Sequence, residues 1–382
     1  MPNTRVRAVV NLDAIAKNTQ NIKKHIETNL CAVIKADAYG HGALETARVC
    51  LDNGANLLAV AICEEGVLLK KEPSIQADIL VLAYTPEDLF PDALDNSLQL
   101  TVFSLAMAKG LAKTARKKNM RARVHIKIDT GMGRLGFLPN SQTVSEIIDI
   151  FNMPNIEVLG IYTHFATSDE TGSDFVYEQV RLFEYVLGEI NKKNANARVK
   201  PLIHAANSGA VINYPDVRYD FARTGITLFG LPPANHADTK GLSLIPAMDI
   251  KTRISSLKDI KKGVSVGYAR SYVTKTNSRI ATLPVGYADG YPRNLSNKSH
   301  VLVNGQFAPV IGNICMDQMM IDVTGIPIKE KDEVTLLGKD GSNTITACDL
   351  ADMLGTINYE IICRIGMRIP REYTQTKKTA RY

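Results

Sequence analysis

Between residues 28 and 230 two hydrophobic rhythms alternate along the chain. Short, nearly continuous apolar runs occupy 30–34, 57–62, 78–83, 98–103, 123–128, 157–163, 201–205 and 219–223. Runs of that length suit strands buried on both faces. Between them lie longer stretches in which apolar residues recur three and four positions apart, as at 104–118 and 174–194, the signature of a helix with one buried stripe. Strand and helix alternating eight times predict an α/β fold whose strands close into a TIM-like (β/α)8 barrel. An open doubly wound sheet is the competing plan, but the Gly-x-Gly-x-x-Gly that would follow its first strand is missing.

The texture changes after Leu231-Pro232-Pro233. From about residue 245 short strand-like runs are separated by the turn pairs Val266-Gly267, Asp289-Gly290, Asn304-Gly305 and Asp340-Gly341, with helical patterns at 347–353 and 358–364. The division expected is a barrel over residues 1–240 and a mostly-β domain over 241–382. The run at 6–10 is strand-like and precedes a helix with a cap at Asn11 or Asp13. A first strand over about 5–11 is expected to join the C-terminal domain rather than the barrel. The polar residues 374–382 are expected to fray.

Composition narrows the classes. The 382 residues are 45% hydrophobic and 22% charged, an ordinary globular balance long enough for two cores. The net charge of +6 is modest, and no run of like charge extends beyond pairs such as Lys23-Lys24 and Lys261-Lys262, which argues against nucleic acid as a partner. No stretch approaches the ~20 apolar residues of a membrane span. Residues 1–7 lack the apolar core of a signal peptide, so the expected location is the cytoplasm. Cys31, Cys50, Cys63, Cys315, Cys348 and Cys363 form no Cys-x-x-Cys pair, and the seven histidines show no metal-ligand spacing. That pattern fits reduced thiols and no bound metal.

Candidate chemistry gathers at strand ends, where a barrel of this kind holds its reactive groups. The first barrel strand ends on Lys35. Its ammonium can snorkel to water, or it can lose hydration, in which case its pKa falls and it becomes the nucleophilic amine that a Schiff base with an aldehyde requires. His164 closes the sixth strand, His204-Ala205-Ala206-Asn207-Ser208-Gly209 accompanies the seventh, and Arg223 ends the eighth before Thr224-Gly225-Ile226. Loops after the last two strands commonly bind phosphate in this fold. Ser208 and the amides of Gly225 and Ile226 can supply hydroxyl and backbone donors. After the fifth strand comes Asp129-Thr130-Gly131-Met132-Gly133-Arg134-Leu135-Gly136. Arg134 there is either a solvated loop residue or a two-pronged partner for a carboxylate.

The run Ala32-Val33-Ile34-Lys35-Ala36-Asp37-Ala38-Tyr39-Gly40-His41-Gly42 closely resembles the pyridoxal-phosphate lysine motif of the alanine racemase family. The resemblance continues through the Asp129 segment and through Val266-Gly267-Tyr268-Ala269-Arg270-Ser271-Tyr272, Pro284-Val285-Gly286-Tyr287-Ala288-Asp289-Gly290-Tyr291 and Gly312-Asn313-Ile314-Cys315-Met316-Asp317-Gln318. It ends with Thr356-Ile357-Asn358-Tyr359-Glu360 and Arg368-Ile369-Pro370-Arg371, and covers about residues 5 to 373. One position departs: Ala269 stands where the family usually has glycine.

The resemblance implies pyridoxal 5'-phosphate as cofactor, bound as an aldimine to Lys35. Tyr39, Asn207, Ser208, Gly225, Ile226 and Tyr359 would surround its phosphate end. Arg134 would reach its phenolic oxygen and the substrate, and Arg223, braced by His204, would face its ring nitrogen. Lys127 matches a lysine that is carbamylated in some relatives. A guanidinium gives up no proton readily, so the ring would stay largely unprotonated and transamination would be restrained. Lys35 and Tyr268 would be the two bases on opposite faces of the substrate Cα. A field from His164, coupled to Arg223, would lower the tyrosine's pKa. Met316 would lie near the substrate carboxylate, with Tyr287, Arg293 and Asp317 lining the entry. Tyr268 and Met316 would come from the partner subunit, making a homodimer the minimum active unit. The implied reaction interconverts L- and D-alanine and supplies D-alanine for peptidoglycan; a broader racemase acting on serine or basic amino acids is the alternative. A decarboxylase would carry an acid in place of Arg223, and a non-catalytic carrier would not need the β domain.

Overall fold

The computed structural model describes residues 5–193 and 200–376. The last residue of the helix expected over 174–194 and the end of the expected frayed tail, 377–382, lie outside the described residues.

The chain opens with β1 (Val6–Asn11), followed at once by α1 (Leu12–Ile26). Asn11 is the cap: its side-chain oxygen accepts the Ala14 N–H at 3.0 Å, while Asp13 sits in the first turn, where a negative charge suits the helix dipole. Leu12, Ile15, Ile22 and Ile26 form the buried stripe.

Eight parallel strands then close a barrel: β2 (Asn29–Val33), β3 (Leu57–Val60), β4 (Ile79–Val81), β5 (Gln99–Val102), β6 (Ala122–Lys127), β7 (Ile156–Tyr162), β8 (Leu202–His204) and β9 (Phe221–Thr224). The sheet closes where β9 pairs back onto β2, with Cys31 opposite Arg223. Side chains on β3, β4 and β5 are buried throughout, as expected for strands with the barrel interior on one side and helices on the other. Two strands end two residues before their apolar runs do. The runs at 57–62 and 78–83 outlast β3 and β4 because Ala61, Leu82 and Ala83 leave the ladder to line a cavity at the barrel mouth.

The C-terminal domain is built on a ten-stranded sheet. From one edge it runs through Ser256–Ile260, Ser278–Leu283, Met319–Asp322, Gln306–Ile311, His300–Val303, Glu333–Asp340 and Met248–Arg253, then β1, and ends at Arg371–Thr374. β1 lies antiparallel to Met248–Arg253, with Val6 opposite Thr252, and parallel to Arg371–Thr374, with Ala8 opposite Arg371. Its buried positions, Val6, Ala8 and Val10, alternate as one face of a strand must. Two helices, Ala347–Leu354 and Asn358–Cys363, complete the domain. Thr346 and Asp349 cap the first reciprocally, at 3.1 and 2.8 Å. Among the described residues no helix is long and apolar enough to cross a membrane.

Both domains share one hydrophobic core, and the C-terminal domain presses directly on the turn that follows β2. Arg371 Nε donates to the Gly40 carbonyl at 3.0 Å, and a Cβ at Gly40 would stand 2.5 Å from the Ile362 carbonyl oxygen. Gly40 also has φ +84°. A side chain there meets both a backbone wall and the left-handed penalty. Gly40→Ala is therefore expected to lower folding stability by more than about 2 kcal/mol, to be read as a fall in the thermal unfolding midpoint. An unchanged midpoint would show that the two domains do not grip this turn.

Candidate active site

The C-terminal ends of the barrel strands surround a cavity of about 460 Å³. Lys35 and Tyr39 reach it from the segment after β2, Lys127 from the end of β6, and Arg134 from the loop that follows. His164 follows β7, Asn207 and Ser208 follow β8, and Arg223 with Gly225 come from β9 and its exit. Tyr359 closes the cavity from the C-terminal domain.

The segment after Lys35 takes an unusual course. Ala36, Asp37, Ala38 and Tyr39 have φ between 51° and 54°, a left-handed helical turn made without glycine. Each such residue costs roughly 1–2 kcal/mol, so the turn must be held by its surroundings. Gly40 N donates to the Ala36 carbonyl at 3.0 Å, and Gly42 N to that of Asp37 at 2.9 Å. Asp37 Oδ1 accepts the Ala43 N–H at 2.7 Å, and His41 Nδ1 lies 3.1 and 3.2 Å from the Ala38 and Tyr39 carbonyls, to which it can only donate. The Tyr39 ring packs 5.2 Å from Phe229. Lys35 is half-buried, and desolvation first, then the Arg134 charge, push its pKa down. Of the two readings open to this lysine, the nucleophilic amine is the one its environment favours.

Arg223 lies at the floor, buried, with no carboxylate bonded to it among the described residues. It donates to the Thr163 and Ala205 carbonyls at 2.9 and 3.0 Å, and to Nδ1 of His204 and His164 at 2.9 and 3.3 Å. The Tyr162 ring stacks on His204 and sits 5.1 Å from the guanidinium. Arginine can only donate, so His204 Nδ1 must accept and its proton resides on Nε2. That proton points at His125 Nδ1, 2.8 Å away, and His125 Nε2 donates to Gln99 Oε1 at 2.8 Å. The same logic leaves His164 with its proton on Nε2. Burial, then the Arg223 charge, hold all three imidazoles neutral, with His125 down at about 3. This corrects one expectation: a positive field over the cavity comes from Arg223, and His164 lends only a neutral dipole.

Lys127 is also buried, and desolvation with the Arg134 and Arg223 charges brings its pKa down to about 8. Lys35, Lys127, Arg134 and Arg223 thus bring four cationic groups to one cavity. The Asp129 carboxylate is committed to the loop itself, accepting N–H groups of Gly131, Gly133 and Arg134 at 2.9–3.0 Å. Such a cavity is built to receive an anion.

At the opposite side Asn207 caps the helix Ser208–Asn213, accepting the Ala210 N–H at 3.0 Å and the Ser168 hydroxyl at 2.6 Å. The Gly225 amide, expected to face a phosphate, donates to Ser208 Oγ at 3.0 Å, and Ile226 is buried behind it outside the cavity lining. A Cβ at Gly225 would lie 2.3 Å from Tyr39 Oη, so this glycine keeps a hollow open beside the hydroxyls of Tyr39 and Ser208. A hollow edged by hydroxyls, a lysine of lowered pKa across the cavity and an arginine on its floor fit pyridoxal 5'-phosphate. Among the described residues no group of three or more His, Cys, Asp or Glu side chains could hold a metal ion.

The remaining expected residues stay outside this cavity within one chain. Tyr268 is 71% exposed and Met316 54%. Tyr287 and Arg293 line a separate cavity of about 500 Å³ with Glu360 and Arg364, and Asp317 accepts Arg368 Nη2 at 2.7 Å. Ala269 has φ +59°, the conformation that glycine would adopt without strain.

Sequence reading passed over Tyr162, His125, Glu65 and Gln179. His125 had a signal: it and Lys127 are two apart on β6, so both face inward. Gln179 had none. From the middle of the helix Asp174–Lys193 it accepts the Ala166 N–H at 2.9 Å and donates to the His164 carbonyl at 3.0 Å and to Thr130 Oγ1 at 3.2 Å, joining two loops of the site.

Comparison with known proteins points to one family. The alanine racemase N-terminal domain matches residues 10–233, and the alanine racemase C-terminal domain matches residues 247–373. Alanine racemase 1 of Clostridium acetobutylicum is 45% identical over 96% of this chain and 95% of its own length. The solved alanine racemase of Clostridium difficile superposes with a TM-score of 0.92 at 38% identity, covering 98% of this chain and 97% of that one. The alanine racemase of Bartonella henselae, solved with covalently bound pyridoxal phosphate, superposes with a TM-score of 0.85 at 28% identity over 97% of this chain and 100% of that one.

The buried neutral imidazoles carry a cost in acid. Unfolded histidines titrate near 6.5, whereas His41 and His125 are held at about 4 and about 3. The unfolded chain therefore binds protons that the folded one refuses, and stability that is full above 6.5 drains away as the pH falls toward those values. At pH 5 the loss is about 2 kcal/mol for each such histidine. The thermal midpoint is expected to fall by several degrees between pH 7.5 and 5; a midpoint constant over that range would contradict the neutral assignment.

Proposed function

Because this chain belongs to the alanine racemase family, a family of isomerases, we propose that it interconverts L- and D-alanine, using pyridoxal 5'-phosphate held on Lys35 and two proton-transferring groups, Lys35 and Tyr268. The observation that carries this reading is Lys35 itself, an amine of lowered pKa on a left-handed turn at the mouth of a cationic cavity. When bound, the cofactor supplies the electron withdrawal that acidifies the substrate Cα–H. The residues around it do the rest.

Arg134 would attract the substrate carboxylate and the cofactor's phenolic oxygen, and Asp129 fixes the Arg134 loop through three backbone N–H groups. At its lowered pKa Lys127 has a share of neutral amine near pH 8, the form that adds carbon dioxide to give an anionic partner for Arg134. Arg223, with His204 and two carbonyls fixing it, would hold the ring-nitrogen end of the cofactor and keep its own protons. Tyr39, Tyr359, Asn207, Ser208 and Gly225 would enclose the phosphate end, with Ile226 behind Gly225. Lys35 Nζ would remove or return the Cα proton on one face, and Tyr268 Oη would act on the other.

Tyr268 and Met316 are exposed on their own chain and outside its barrel-mouth cavity. That supports reading them, with Tyr287, Arg293 and Asp317 at the entry, as contributions to the cavity of a partner subunit. Each site is then shared, and the smallest active unit is a homodimer. In that division residues 1–240 bind the cofactor and residues 241–382 bring the second base. The product would supply D-alanine for peptidoglycan in the cytoplasm.

Incubating the cofactor-loaded protein with L-alanine in D2O tests the reading directly. The expected result is loss of the α-proton signal together with D-alanine rising to near-equal amounts. Exchange without D-alanine would mean that Lys35 acts and Tyr268 does not. No exchange would reject alanine, and turnover of serine or lysine instead would favour the broader racemase. Tyr268→Phe separates the two bases: deprotonation of one enantiomer is expected to fall about 100-fold or more while the other is much less affected. Equal, mild losses for both would overturn the two-base assignment.

A further inference from the structure

The turn that carries Lys35 is anchored by a residue far from it in sequence. Glu65 is the third residue of the helix Cys63–Lys70, which follows β3. Glutamate at that position ordinarily reaches back to the N–H preceding its own helix, and Glu65 Oε2 does so, accepting Ala61 N at 2.8 Å and Ile62 N at 3.4 Å. Its other oxygen crosses to the neighbouring strand end and accepts Ala36 N at 2.5 Å. Ala36 follows Lys35 immediately, and it is where the backbone changes hand, from φ −120° at Ile34 to φ +52°.

That amide has little else to bond. The β2 ladder ends with Ile34 N donating to the Ala59 carbonyl, and the first donors of a helical turn have no carbonyl behind them. The turn's other side-chain anchors, from Asp37, His41 and Arg371, act on residues 37–43 and leave the Ala36 N–H to Glu65. We propose that Glu65 is a positioning residue for Lys35: its carboxylate clamps Ala36 to the end of β3, sets where the left-handed turn begins, and so aims the lysine amine into the cavity. The inference rests on the reading that Lys35 holds the cofactor.

A carboxylate suits this task because two separate groups of N–H donors converge on its two oxygens. Glutamine keeps the size but offers one accepting oxygen and turns an NH2 group toward the remaining donor. The test uses Glu65→Gln in the full-length protein stripped of cofactor. The rate of covalent incorporation of pyridoxal 5'-phosphate, fixed with borohydride and located by peptide mass analysis, is measured across pH. Wild type is expected to incorporate at Lys35. E65Q is expected to incorporate about tenfold more slowly even on the high-pH plateau, where every amine is neutral, because misalignment rather than protonation limits it. Loss of the Glu65 charge, which acts on Lys35 against that of Arg134, should also move the pH midpoint downward.

Lys70→Met removes a hydrogen bond from the same helix, Lys70 Nζ to the Ala77 carbonyl at 2.7 Å. This control is expected to lower the thermal midpoint yet leave the plateau rate within twofold of wild type. A plateau rate for E65Q within twofold of wild type, or an equal slowing in K70M, would overturn the inference. If E65Q does not fold, amide hydrogen exchange in wild type decides: Ala36 is expected to be protected like Ala61, and exchange at the rate of an open loop would overturn the clamp. Incorporation in wild type at a lysine other than Lys35 would overturn both this inference and the reading beneath it, whereas normal wild-type labelling with normal E65Q labelling removes only the clamp.

Discussion

A guanidinium buried without a counter-ion among the described residues organises the interior of this barrel. Placing a full charge away from water costs far more than a neutral polar group, unless every donor finds an acceptor. Arg223 goes far toward that condition through its two terminal nitrogens, which meet two backbone carbonyls and two imidazole nitrogens, with the face of Tyr162 alongside rather than a carboxylate. Because arginine only donates, the choice propagates: His204 must accept, His125 must accept from His204, and Gln99 ends the chain. Protonating any of those imidazoles would turn an acceptor into a donor facing a donor. The histidines therefore stay neutral, and the guanidinium keeps its positive charge unspent for whatever enters from above.

Lys127 and Lys35 gain their chemistry from the same charge surplus. Each is partly or wholly desolvated beside arginines, and each has its pKa lowered. A carboxylate at the Arg223 position would remove one of the charges that lower Lys127 and would offer an acidic partner to a heteroaromatic ring. Four groups able to carry positive charge, set around the barrel mouth, create a cavity whose natural occupant carries anionic groups at more than one point.

The second domain contributes in two directions. Inward, Tyr359, Arg371 and the helix Asn358–Cys363 close on the turn after β2, so the segment that follows Lys35 is held from barrel and sheet alike. Outward, the segment bearing Tyr268 is left exposed. β1 explains how the two parts stay together. It lies in the distant sheet between Met248–Arg253 and Arg371–Thr374, then leads into α1 and the barrel, so both ends of the chain are built into one sheet.

Much of this was legible in the chain alone, for identifiable reasons. Barrel strands are buried on both faces, so their apolar runs stand out without any alternation, and strand ends locate the site in such a barrel. Lys35, Arg134, His164, Ser208 and Arg223 each follow a run of that kind. What no local pattern could reveal are contacts made across the fold. The left-handed turn of Ala36 to Tyr39 contradicts every local preference of alanine, and only Glu65, Asp37, His41 and the second domain make it tenable. Gln179 reads as one more polar residue of an amphipathic helix until tertiary packing brings it to the His164 loop. The protonation states of the three histidines are likewise a tertiary decision, since composition says nothing of which nitrogen faces a guanidinium. Sequence by itself determined the elements and the kinds of side chain at their ends, because hydrophobic periodicity and residue chemistry are local; the aim of Lys35 and the charge balance around it belong to the tertiary structure, because both depend on which distant backbone groups and cations come within a few ångströms.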